Sequence, residues 1–186
     1  MGNGTGKLYD EILDAFGSIQ RPSATEMIQP RFRMASSSGN QSQEAIMIDR
    51  VLGHLRWQGV RWKDFDWEDE LIQGPSAPAE YAQSVFNCLS DSGVAYYTPS
   101  VMLIVISEGL DAEMLFQWLL DRLDPDWVGS DVVESTFGRW GMPQADTLLR
   151  FLEWALANFK CQSYDGQGDT VLKYWKAKGR WSSAGL

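Results

Sequence analysis

The stretch Leu89–Leu123, LSDSGVAYYTPSVMLIVISEGLDAEMLFQWLLDRL, decides how the rest of the chain is read. At its centre, Val101-Met-Leu-Ile-Val-Ile106 is the most hydrophobic run of six in the sequence. Thr98-Pro99 stands directly before it and predicts a helix start. Threonine caps, and proline suits the first helical position because its missing N–H would be unpaired there anyway. A helix that is apolar all round belongs in a core, with other helices against it. The expectation is an all-α, compact single-domain bundle around a buried central helix at about 99–107.

Downstream, Gly109 interrupts that helix, and Asp111 is the expected N-cap of a second one over Ala112–Leu123, with Leu115, Trp118, Leu119 and Leu123 inward. Pro125 stops it, and 124–142 reads as a loop. Pro143 opens a further helix whose broad apolar face includes Leu148, Phe151, Leu152 and Ala155. After the polar turn at 163–168, a last helix over Asp169–Lys178 places Leu172 and Trp175 inward. Upstream, Leu8, Ile12, Leu13 and Phe16 share one face at helical spacing, so Lys7–Phe16 is a short amphipathic helix that must dock to be stable. Arg21–Gln43 is polar and irregular by composition. Helices are expected again from Ala45 to Gly59, from Asp64 or Asp66 through Ile72, and from Pro78 through Leu89. Almost nothing alternates with period two; Val101–Ile106 alone has the composition of a buried strand, and its Thr-Pro start and the helical pattern after it favour a helix.

A chain of 186 residues suits one domain. Residues 1–45 read as an N-terminal helix and flexible loop, 46–180 as the helical core and 181–186 as a tail. Nine tryptophans are scattered from position 57 to 181, and most are expected as core or half-buried staples. No stretch approaches the roughly 20 apolar residues of a membrane-spanning helix. The first residues lack the basic and apolar regions of a signal peptide, and two cysteines, Cys88 and Cys161, build no disulfide framework. A soluble, cytoplasmic protein is the expectation.

The net charge of −9 is unevenly spread. Residues 1–60 carry six basic and six acidic side chains, 61–135 three basic and fifteen acidic, and 136–186 seven basic and four acidic. An acidic middle argues against nucleic acid or an anionic membrane as ligand and favours a basic protein partner. The same charge also helps to keep a tryptophan-rich chain in solution.

Most chemistries lack their residues. Gly2-Asn-Gly-Thr-Gly-Lys7 approaches a phosphate loop, but it has one residue too few between its outer glycines. Leu8 also stands where serine or threonine belongs. A disordered start is expected there. His54, the only histidine, sits beside arginines late in its helix and reads as a surface residue rather than a general base. Asp64-Phe-Asp66 and Asp124-Pro-Asp126 have a spacing that serves divalent cations in some transferases and nucleases, but hard cations want more oxygen ligands than either pair supplies. No catalytic residue, metal ligand or cofactor is therefore assigned. The basic end, Lys173–Trp181, interleaves cations and aromatics as nucleic-acid surfaces do. It reads better as a helix docked through Trp175, with its charges in water or paired with the acidic middle.

The strongest candidate surface is Asp64, Phe65, Asp66, Trp67, Glu68, Asp69 and Glu70, five carboxylates interleaved with two aromatic rings. Interfaces draw much of their energy from a few aromatic anchors, and complementary charge adds speed and selectivity of encounter. The competing reading is a solvated loop with both rings turned inward.

Several motifs carry a resemblance. They are Gly59-Val-Arg-Trp62 followed by Asp64, Ala95-Tyr-Tyr-Thr-Pro99, Met114-Leu-Phe-Gln-Trp-Leu-Leu120, and Met142-Pro143 with Phe151-Leu-Glu-Trp154 behind it. In this order the chain resembles a family of uncharacterised bacterial helical proteins, over about residues 57–175. The resemblance implies a compact helical fold and brings no activity or catalytic residues. In character the chain is similar to the immunity proteins that neutralise bacterial toxins. The expected function is that of a non-enzymatic inhibitor whose acidic, aromatic surface meets a basic toxin domain. The alternatives are a small enzyme with a carboxylate or divalent-metal site and a structural helical module.

Overall fold

The computed structural model describes residues 3–27, 29, 89–159 and 166–181. Among them the regular structure is helical, and no β-strand occurs. The helices are α1 (Asn3–Phe16), α2 (Ala24–Met27), α3 (Asp91–Glu108), α4 (Glu113–Leu123), α5 (Pro125–Val128), α6 (Ser130–Phe137), α7 (Met142–Asn158) and α8 (Gln167–Trp181), with a 3-10 turn over Gly109–Ala112. The chain divides into two compact units, Met1–Ile19 with Val101–Leu186, and Gln20–Ser100.

The central helix is there, and Val101–Ile106 is buried throughout, but it begins at Asp91 rather than at Thr98-Pro99. Two caps compete, and the upstream one wins. The Ser90 hydroxyl accepts from the Gly93 N–H at 3.3 Å, and the Val94 N–H bonds the Ser90 carbonyl at 2.8 Å. Pro99 is left inside the helix, where it removes a backbone bond at a cost of roughly 3 kcal/mol. Thr98, freed of capping, donates its hydroxyl to the Val94 carbonyl at 2.8 Å. Burial of Val94, Tyr96 and Tyr97 in that first half offsets the proline penalty.

In the Gln20–Ser100 unit, the segment read as irregular contains one helical turn. Ser23 and Glu26 form a capping box: the Glu26 N–H reaches the Ser23 hydroxyl at 3.3 Å, and the Ser23 N–H reaches the Glu26 carboxylate at 3.0 Å. The turn is tied to the start of α3, because Ser90 N–H donates to the Met27 carbonyl at 2.9 Å and the Ser90 hydroxyl to the Glu26 carbonyl. Gly93 permits this approach, since a Cβ there would stand 2.4 Å from the Met27 carbonyl oxygen. Burial pushes the Tyr97 phenol above its ordinary pKa, against the opposing pull of the Arg21 guanidinium.

The other unit is built on α7, which packs against α1 and α8. Leu8, Ile12 and Phe16 of α1 are buried, as the spacing predicts, with Leu13 only half-buried. The helix starts at Asn3, so the glycine–lysine stretch expected to be disordered is its first turn. Polar ties fix α1 to α7: Gln144 Nε2 donates to the Ala15 carbonyl at 2.6 Å, and Arg150 pairs with Glu11 at 3.2 Å. Leu148, Phe151, Leu152 and Ala155 form the buried face of α7, and Phe116 of α4 stacks on Phe159 with ring centroids 5.2 Å apart. On α8 the inward residues are Val171 and Trp175, with Leu172 only half-buried. Trp175 donates its indole N–H to the Leu123 carbonyl at 3.3 Å, meeting one of the carbonyls left open at the end of α4.

Candidate protein-binding surface

Asp64, Phe65, Asp66, Trp67, Glu68, Asp69 and Glu70 lie outside the described residues, as do His54, Cys88 and Cys161. The described part of the acidic middle covers residues 89–135, where the only basic side chain is Arg122. Its carboxylates divide into those that hold the fold and those that face water.

The first kind includes Asp124, which is buried. Its carboxylate accepts from the Asp126 N–H at 2.9 Å and caps α5, with Pro125 in the first helical position. The Asp124-Pro-Asp126 spacing is therefore a helix start. Asp121 is similarly employed, accepting from Gln117 at 2.5 Å and from Gln167 at 3.1 Å, which ties α4 to the first turn of α8. Glu134 receives both Lys178, at 2.9 Å, and the Tyr174 hydroxyl, at 2.9 Å. The Lys178 bond is the main cause holding the Glu134 carboxyl below its ordinary pKa, and burial pushes the Tyr174 phenol up to about 12. Lys176 pairs with Glu153 at 2.7 Å. The basic end of the chain is thus a docked helix, and Lys178 meets the acidic middle through Glu134.

Asp111, Asp126 and Asp131 are of the second kind and are exposed. Asp111 does not cap α4. The 3-10 turn takes that place, with the Glu113 N–H bonded to the Leu110 carbonyl. The segment 124–142, read as a loop, holds the short helices α5 and α6. Between them Gly129 has φ +95°, a conformation side chains avoid, and an added Cβ would stand 2.7 Å from the Asp131 carboxylate.

On this corner Trp127 is 73% exposed, while Trp118 and Trp175 are buried and Trp140 and Trp154 half-buried. Composition alone missed it. Yet Asp124-Pro-Asp-Trp127 repeats the acid–aromatic pattern of 64–70, and Pro125 and Gly129 on either side confine the ring to a helix of one turn. An indole of about 200 Å² exposed to this extent leaves roughly 3–4 kcal/mol of transfer free energy to be collected by a partner's pocket.

Among the described residues no group of three or more His, Cys, Asp or Glu side chains is placed to hold a metal ion, and no helix is long and apolar enough to cross a membrane. Comparison with known protein families, with curated proteins and with solved structures found no match.

Proposed function

We propose that this chain is a non-enzymatic inhibitor of the immunity type, acting in the cytoplasm of a bacterium and binding a basic toxin domain through its acidic, aromatic middle. The observation that carries the reading is Trp127, an exposed indole held on a capped turn with the exposed Asp126 beside it and Asp131 four residues on. A ring of this size in such a setting is the composition of an interface anchor with a charged rim. The 64–70 stretch repeats that composition in the sequence. The order of motifs resembling an uncharacterised bacterial helical family fits this reading, and burying carboxylates against a cationic active-site cleft would block it sterically and electrostatically.

The test is co-expression with a toxin encoded beside the gene, read as rescue of growth and as a co-purifying complex. Replacing Asp126, Trp127 and Asp131 by alanine, together with Asp66, Trp67 and Asp69, should abolish both. Undiminished rescue by that sixfold variant would overturn the assignment.

A further inference from the structure

We propose that Leu110 and Met114 form a second docking point, which takes a basic amphipathic helix presented by the partner. The inference rests on reading the chain as a binder of a basic protein, and it adds the shape and chemistry of the segment that is bound.

Leu110 is 68% exposed and Met114 50% exposed, so with Trp127 they are the three most exposed large hydrophobic residues described. They stand four residues apart and both face outward where the 3-10 turn runs into α4, and we take the two together as one apolar ridge. Their outward position is not forced by a shortage of core contacts. Ala112, Leu115, Phe116, Trp118 and Leu119 already supply the buried side of the same segment. In sequence the two residues are flanked by Glu108 and the exposed Asp111, and no lysine, arginine or histidine occurs anywhere between Lys63 and Arg122.

That combination selects its occupant. Carboxylates alone attract any cation, and an apolar ridge alone attracts any grease. Together they match a helix with leucine-like residues at i and i+3 or i+4 and with lysine or arginine on its flanks. Methionine suits such a contact, because its unbranched thioether adapts to the ring or branch it meets. The flanking charges set the partner's sign and its orientation on the ridge.

The probe is a fluorescein-labelled leucine–lysine peptide of about 18 residues, long enough to form a helix on docking. Its sequence places every leucine on one face. A control peptide has the same composition in an order that destroys the face. Fluorescence anisotropy with the full chain should show tighter binding of the amphipathic peptide. L110S/M114S should weaken that binding about tenfold and leave the weak binding of the control unchanged. Asp111→Lys should weaken both peptides, more so at low salt. Circular dichroism checks that these surface variants keep their helix content. Equal binding of the two peptides, or no effect of L110S/M114S, overturns the docking point. The two readings fail separately. If the ridge binds the peptide but no toxin is neutralised, the docking point stands and the inhibitor assignment falls. If rescue depends on Trp127 but peptide binding ignores Leu110 and Met114, the reverse holds.

Discussion

Trp175 and Trp127 belong to the same unit and have opposite fates. Trp175 is 1% exposed, meets Phe137 edge-on at 5.7 Å and donates its N–H to the end of α4. The cations around it are engaged as well, with Lys178 lying 5.2 Å from its ring centroid and bonded to Glu134. Trp127 projects from a single turn with the exposed Asp126 beside it. One tryptophan contributes to folding, and the other has its apolar area still to give. Large apolar area and charge remain uncommitted at the α5 corner, whereas Trp175 and Lys178 are spent inside the fold.

The largest expected effect breaks the comparison directly. Trp175→Ala should cost about 3–5 kcal/mol of stability, because it opens a cavity beside Phe137 and Trp140 and orphans a carbonyl. Trp127→Ala should stay within about 0.5 kcal/mol of the parent while losing the partner. Urea denaturation of the two variants checks both, and similar midpoints would show that Trp127 is structural.

Next comes Gly129→Ala. At φ +95°, with the Asp131 carboxylate in the way, any Cβ is strained, and the expected loss is about 1–3 kcal/mol. Combining it with Asp131→Ala should recover only the steric part, since the backbone strain remains. Full recovery would mean that the carboxylate, and not the backbone, decides the turn.

The smallest effect sharpens the α8 side. Because the folded Glu134 carboxyl lies below its unfolded pKa of about 4.3, its contribution is present above that pH and is lost as pH falls toward the folded value. The pair is largely exposed, so the amount should be below about 1 kcal/mol and should fade with salt. Tyr174 behaves with opposite sign: its contribution holds below the unfolded phenol pKa of about 10 and is lost as pH rises to about 12. In Glu134→Gln, tyrosinate absorbance should appear at lower pH than in the parent, though not fully at the unfolded value, because burial is the larger cause. An unchanged titration would show that the Glu134 carboxylate does not hold the Tyr174 phenol.

Much of the helical plan was legible because its signals are local. Leu8, Ile12 and Phe16 mark one face of α1, and Pro143 sits at the start of α7. The capping box at Ser23–Glu26 was equally legible by its spacing but was lost inside a polar stretch. The 64–70 surface lies outside the described residues, and the α5 corner was passed over as loop because a helix of one turn has no periodicity to detect.

By itself the sequence determined that the chain is helical, that Val101–Ile106 lies in a core, and that negative charge gathers in its middle. Those properties follow from side-chain spacing and composition, which need no knowledge of distant neighbours. Only the tertiary structure decided that Ser90 rather than Thr98 starts the central helix, and that Trp175 goes inside while Trp127 stays out. Capping choice and burial depend on what stands opposite a residue. For Ser90 that is the Glu26–Met27 backbone, and for Trp175 it is Phe137 and the end of α4.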